Sequence, residues 1–145
     1  NGIALTDTIT TECFKKDFRM TYATLFSGVR HDSGDPFAWG DDMIEHYKSL
    51  GIDPKTKTLL FSDSLNFKKA DTLYRYFKDK AKPAFGIGTY IANDSCYDPL
   101  NIVMKVTYCN GMDVAKLSDA DGKCMCKNPD YVEYLRRSID WRMKH

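Results

Sequence analysis

The densest chemistry in the chain is Arg30-His31-Asp32-Ser33-Gly34-Asp35-Pro36. An arginine at a strand end presents a planar fork that pairs bidentately with phosphate or stacks on a flat ring. An aspartate two residues on lies on the same side while the strand continues, so Arg30 and Asp32 can hold opposite parts of one ligand. Read structurally instead, Asp35 caps a helix, Ser33-Gly34 turns the chain and Arg30 pairs with Asp32. Gly86-Ile87-Gly88-Thr89 offers a second chemistry: two residues without Cβ let backbone N–H groups approach an anion, and the threonine hydroxyl adds a donor, which suits a 5′-phosphate. Ser62-Asp63-Ser64 and Thr6-Asp7-Thr8 each set an acid between hydroxyls. Asp63 and Asp7 read either as acceptors for sugar hydroxyls or metal-bound water, or as helix caps. His31 has the chemistry of a base, but no Ser or Cys nucleophile is matched to it and a hydrogen-bonding spacer explains it as well. Lys116 and Ser118 read as phosphate contacts or as ordinary strand-end residues.

These groups need a scaffold that gathers them. Each follows a short apolar run: Ile3-Ala4-Leu5, Gly28-Val29, Leu59-Leu60-Phe61 and Pro83-Ala84-Phe85. Helical patterns lie between the runs. One covers about 8–18; a second starts at the Asp35 cap with Pro36 at its first position, carries Phe37, Met43, Ile44, Tyr47 and Leu50 on one stripe, and stops at Gly51. A third follows a Ser64/Asn66 cap with Phe67, Ala70, Leu73, Tyr74 and Phe77 at helical spacing. Strands repeating at roughly 25- to 30-residue intervals around helices imply βαβ units and a parallel sheet. Such a sheet carries its ligand groups where the strands end, so the candidate residues are expected on one face, as a set suited to a phosphorylated sugar and its metal ion.

The pattern then changes. Residues 100–108 are rich in β-branched types, and Asn110-Gly111 signals a tight hairpin turn before 114–117, which predicts an antiparallel excursion. A polar stretch over 118–128 leads into a terminal helix from Pro129, with Tyr131, Leu135, Ile139 and Met143 as its stripe. Trp39 and Trp141 read as core residues.

With 145 residues and 43% hydrophobic content, the chain suffices for one core and is read as a single segment, 1–145. Its 21 basic and 20 acidic side chains leave a net charge of +1, which argues against nucleic acid as a partner. No apolar run approaches the roughly 18 residues of a membrane span, and there is no signal segment, so a cytoplasmic setting is expected. Cys13, Cys96, Cys109, Cys124 and Cys126 are odd in number and lack framework spacing, and Cys124-Met125-Cys126 is too tight for the usual zinc pair, so reduced thiols are expected. The start on Asn1, immediately before a strand, suggests a segment of something longer.

Gly28-Val29-Arg30-His31-Asp32-Ser33-Gly34-Asp35-Pro36 closely resembles the RxDSGDP signature of nicotinate phosphoribosyltransferases and their nicotinamide-using relatives. Gly2-Ile3-Ala4-Leu5-Thr6-Asp7-Thr8, Lys57-Thr58-Leu59-Leu60-Phe61-Ser62-Asp63, Phe85-Gly86-Ile87-Gly88-Thr89 and Val114-Ala115-Lys116-Leu117-Ser118 resemble the bacterial nicotinate enzymes in the same order, over nearly the whole chain. The resemblance implies a type II phosphoribosyltransferase and, for this chain, half of an irregular α/β barrel with parallel strands, a C-terminal antiparallel hairpin excursion and a terminal helix. The chain would be the C-terminal part of that barrel domain, the N-terminal domain and early barrel strands being absent.

The resemblance also implies the reaction. Nicotinate attacks C1 of phosphoribosyl pyrophosphate, pyrophosphate leaves with magnesium, and nicotinate mononucleotide forms on the salvage route to NAD. Carried over, Arg30 and Asp32 are catalytic: Arg30 lies against the nicotinate ring and phosphates, and Asp32 orients the base or the sugar pyrophosphate. Asp63 accepts ribose hydroxyls; Gly86, Gly88 and Thr89 surround the 5′-phosphate, and Ser33 joins the substrate-binding set. Asp7, His31, Lys116 and Ser118 are further candidates. Magnesium and ATP are the implied cofactors, with ATP acting through a phosphorylated histidine upstream of Asn1, and the full-length enzyme is implied to be a homodimer. Alternatives left open are another phosphate-binding barrel, such as a quinolinate-type transferase or a sugar-phosphate lyase, and a non-catalytic folding or dimerisation unit. The lyase would need a Schiff-base lysine inside a strand, and none is expected in the four early runs.

Overall fold

The four apolar runs form one parallel sheet in the computed structural model, which describes residues 2–93, 95–98, 100, 102–117 and 124–144. Its strands are β1 (Ile3–Leu5), β2 (Gly28–His31), β3 (Thr58–Phe61) and β4 (Lys82–Phe85). They lie side by side in chain order, with Leu5, Arg30, Leu60 and Ala84 in one row across the sheet. The crossovers are α1 (Thr11–Asp17) with α2 (Met20–Leu25), then α3 (Pro36–Ser49), then α4 (Phe67–Phe77). Sequential neighbours whose crossovers all pack into one core make the winding of a barrel wall; a doubly wound sheet would reverse its strand order.

That core lies between the sheet and the helices. Val29, Leu59 and Phe61 point into it and meet Trp39, Met43, Ile44 and Tyr47 of α3 and Leu73 and Phe77 of α4. Phe61 is the hub of an aromatic cluster, with ring centroids 5.2 Å from Phe77, 5.4 Å from Trp39 and 5.9 Å from Phe85. The helix ends follow their caps: Asp35 Oδ1 accepts from the Ala38 N–H at 2.7 Å, and Asn66 Oδ1 from the Lys69 N–H at 2.9 Å. At the opposite edge of the sheet, buried Lys57 donates to the carbonyls of Thr24 (3.1 Å) and Phe26 (2.8 Å), fixing the end of α2 to the start of β3. Burial lowers the pKa of that ammonium.

Several expectations are corrected. The helix expected over about 8–18 is confined to α1, because Thr10 caps it, and the separate α2 follows. Residues 102–107 take no strand pairing, and Ile102, Val103, Met104 and Val106 are exposed: β-branched composition makes a strand only where a partner supplies the ladder. The hairpin is shorter than expected, with β5 (Tyr108–Cys109) against β6 (Met112–Asp113). Its Asn110 and Gly111 adopt φ of 49° and 79°, the left-handed pair that a tight two-residue turn requires. Val114–Leu117 is not a strand; Lys116 makes a single bridge to Met125. A short helix, α5 (Thr89–Ala92), follows β4.

The terminal helix α6 (Pro129–Lys144) is present with Tyr131, Leu135, Ile139 and Met143 half-buried, and it is tied to α1 by an Arg142–Asp17 ion pair. Trp141 is exposed, because it lies off that stripe. All five cysteines are free. No helix among the described residues is long and apolar enough to cross a membrane.

Two core substitutions separate packing from polarity. A Cβ on Gly40 would sit 2.3 Å from the Phe77 ring, so Gly40→Ala is expected to lower unfolding free energy by about 1–3 kcal/mol in urea titrations. Tyr47 is fully buried, its hydroxyl has no partner among the described residues, and burial pushes its pKa up to about 12. Tyr47→Phe is therefore expected to leave stability unchanged or raise it.

Candidate functional site

Hydrogen bonding between neighbouring strands continues past their last residues. The Thr6 N–H donates to the Arg30 carbonyl (3.3 Å), the Ser62 N–H to the His31 carbonyl (3.2 Å) and the Gly86 N–H to the Phe61 carbonyl (2.8 Å). The loops after all four strands are thereby held on one edge of the sheet. Two polar clusters and a cavity between β3 and β4 lie along it.

The first cluster centres on Arg30. Its Nε donates to Ser62 Oγ at 2.8 Å and its Nη2 to Asp32 Oδ1 at 3.1 Å, so Arg30 and Asp32 do share a side. The Ser62 hydroxyl in turn donates to the His31 carbonyl at 2.8 Å. The second cluster centres on Asp7, which is almost fully buried. Ser33 Oγ donates to Asp7 Oδ2 at 2.9 Å, and Lys116 Nζ reaches the same oxygen at 3.4 Å. The loop after β2 and the segment after β6 are in this way pinned to the end of β1. The two clusters meet through Thr6, whose hydroxyl donates to the Arg30 carbonyl (3.2 Å) and accepts from the Trp39 indole (2.9 Å).

The cavity, about 570 Å³ and open to solvent, lies between the ends of β3 and β4. Gly86, Gly88 and Thr89 line it with Ser62, Ser64 and Lys69. Gly86 eases the close approach of the two loops: a Cβ there would stand 3.2 Å from the Ser62 Cβ, tighter than ordinary contact. Gly88 faces open space. Asp63 lies between the lining residues Ser62 and Ser64 and accepts from Ser64 Oγ at 3.3 Å. Arg30 and Asp32 do not line the cavity; Arg30 is bonded to its wall at Ser62.

The capping alternatives fail for both acids: Thr10 caps α1 in place of Asp7, and Asn66 caps α4 in place of Asp63. Ser118 lies outside the described residues. Lys82 is the first residue of β4, where no strand lysine was expected; it sits at the far edge of the sheet from the cavity and donates to the Thr56 carbonyl. Sequence reasoning missed Ser62 and Lys69. Lys69 follows the Asn66 cap by three residues, and only the turn before α4 brings it back over the cavity, where its Nζ donates to the Ser64 carbonyl at 3.3 Å.

His31 is not a hydrogen-bonding loop spacer: it is the last residue of β2. It is 2% exposed, packed against Trp39 (5.2 Å) and Phe61 (6.1 Å), and neither ring nitrogen has a hydrogen-bond partner among the described residues. The Gly34 backbone lies near the ring without closing a bond of good geometry. Burial lowers its pKa, against the pull of Asp63, Asp7 and Asp32 toward the charged form. The unfolded chain therefore takes up the proton first, so the stability tied to neutral His31 is present above about pH 6.5 and is lost as pH falls through that value to the lowered folded one. Urea midpoints measured between pH 5 and 8 are expected to fall on the acid side, and to fall less in His31→Phe.

A family model described as the nicotinate phosphoribosyltransferase (NAPRTase) family matches residues 1–142. A nicotinate phosphoribosyltransferase of Ralstonia nicotianae is 52% identical over 136 residues, 94% of this chain and 35% of that protein. The crystal structure of nicotinate phosphoribosyltransferase from Vibrio cholerae superposes with a TM-score of 0.91 at 47% identity, over 95% of this chain and 35% of that one. The corresponding structure from Porphyromonas gingivalis gives 0.87 at 37% identity, over 96% of this chain and 38% of that one. The chain thus spans about a third of the length of the relatives it matches. Sheet order, hairpin and helices agree with that portion of the fold, and the chain belongs to the nicotinate phosphoribosyltransferase family.

Proposed function

We propose that the chain supplies the strand-end half of a nicotinate phosphoribosyltransferase site, as the C-terminal part of its barrel domain. The enzyme so formed joins nicotinate to C1 of phosphoribosyl pyrophosphate and releases pyrophosphate. The observation that carries this reading is that the strands end in register, placing Arg30, Asp32, Ser62 and the Gly86–Gly88–Thr89 cavity wall on one edge. Positive charge develops on the sugar as pyrophosphate departs, so the task is positioning and charge stabilisation more than covalent chemistry.

In this reading Arg30 holds nicotinate or a phosphate through its outer N–H groups, with Asp32 orienting the fork. Gly86, Gly88 and Thr89 receive the 5′-phosphate, with Lys69 adding charge, and Asp63 accepts the ribose hydroxyls. Ser33, Asp7 and Lys116 hold the loop that carries Asp32. His31 moves no proton, because its ring is sealed in the core.

Magnesium and ATP are part of the proposal. Among the described residues no three His, Cys, Asp or Glu side chains come together as a cation site. That fits magnesium arriving on the pyrophosphate, with Asp63 or Asp32 meeting its water shell. Magnesium supplies charge neutralisation on the leaving group. The full-length protein is proposed to be a cytoplasmic homodimer that couples the reaction to ATP hydrolysis through a histidine outside this chain.

Calorimetric titration of the chain with nicotinate mononucleotide tests the assignment. Arg30→Ala is expected to weaken binding more than tenfold while leaving a measurable heat, and Asp63→Ala to weaken binding by about 1.5–3 kcal/mol, the range for a hydrogen bond to a charged group. The chain alone is expected to bind without turning over nicotinate. An Asp63→Ala effect under about 0.5 kcal/mol would remove Asp63 from the site.

A further inference from the structure

We propose that Ser62 is a positioning residue that presets the Arg30 guanidinium for an oxyanion; this rests on the reading of Arg30 as a ligand-holding residue. A serine hydroxyl has one proton to give and lone pairs to accept with. The Ser62 proton is committed to the His31 carbonyl at 2.8 Å, which turns a lone pair toward the Arg30 Nε at 2.8 Å. The His31 carbonyl belongs to the sheet's own ladder, since it also accepts the Ser62 N–H at 3.2 Å. The hydroxyl rotor is therefore fixed by backbone, and the guanidinium is referenced to that backbone through a single side chain.

The consequence is directional. With Nε held by Ser62 and one Nη2 proton by Asp32, three of the five N–H groups remain, both on Nη1 and one on Nη2. A fork held at two points loses little freedom when an oxyanion binds its remaining edge, which is how preorganisation raises affinity. Phosphate and carboxylate share the geometry such a fork takes.

Space is arranged to match. Glycine at position 86 leaves Ser62 room beside the β4 loop, where a Cβ would stand 3.2 Å from its own, and the Ser62 side chain is both cavity wall and tether for Arg30. The Ser62 and Arg30 side chains are not members of the hydrophobic core cluster, so replacing the hydroxyl leaves that packing in place.

Two measurements on the full 145-residue chain test this. In the unliganded protein, the Arg30 Nε–H should appear by ¹⁵N NMR as a slowly exchanging signal, and Ser62→Ala should raise its exchange rate at least tenfold. A wild-type signal already exchanging as in free arginine would overturn the proposal with no variant required. The second is a double-mutant cycle with nicotinate mononucleotide as the probe. Ser62→Ala is expected to weaken binding about 3- to 10-fold, with little further loss when it is added to Arg30→Ala, because both changes remove one device. Additive losses would make Ser62 a direct ligand contact and overturn the positioning role. An Arg30→Ala protein that binds as wild type would sink the reading of Arg30 itself, and the role of Ser62 with it.

Discussion

Side chains alternate along β2, so Val29 and His31 enter the core while Arg30 between them is turned to the other face of the sheet. One four-residue strand therefore both anchors the hydrophobic cluster and presents the guanidinium. A slip of one residue would bury the charge and expose Val29, which the aromatic packing around Phe61 makes costly. The parallel registers of β1 and β3 with this strand, and of β4 with β3, carry the same parity across the sheet. The placement of Asp7, Asp32, Asp63 and Gly86 follows from it.

Rigidity is unevenly distributed along that edge. The ends of β1 and β2 are held by a connected set of bonds running from the Trp39 indole through Thr6 to the Arg30 carbonyl, and from Ser33 and Lys116 to Asp7. Side-chain networks of this kind fix a single loop geometry when their members are satisfied. The cavity side differs: Gly86 and Gly88 are exposed, α5 is only four residues long, and Tyr90 and Ile91 are exposed. A fixed charged fork stands beside a wall with little packing behind it.

Family membership sharpens the meaning of the exposed apolar surface. Ile102, Val103, Met104 and Val106 carry strand-forming side chains without a strand partner, in a chain that spans about a third of its relatives. Trp141 and Tyr134 are likewise exposed on α6. Propensity predicts a strand over 100–108, but over 102–107 no ladder forms and only Tyr108 is paired.

The strands, the three crossover helices and the two left-handed turn residues were legible because each rests on local chemistry: apolar period, the Asp35 and Asn66 caps, the Asn110-Gly111 pair. Arg30 and Asp32 share a side as the spacing suggested, although β2 stops at His31 and the contact is made by the ion pair between the two side chains. Asp7 and Asp63 were ambiguous because a cap and a ligand acceptor have the same local sequence; only the helix starts at Thr10 and Asn66 excluded the first. His31 read as a loop spacer because burial is a property of what packs on a residue, here Trp39 and Phe61 from 8 and 30 positions away. Ser62 could not be found at all from its neighbours in sequence. Its role is set by Arg30, 32 residues distant, and by a glycine 24 residues beyond it, and such contacts exist only once the strands are in register. Local propensity thus determined the elements and the parity of their side chains, whereas hydrogen-bond partnership and burial were decided by the tertiary structure, because both need atoms brought together across the sheet.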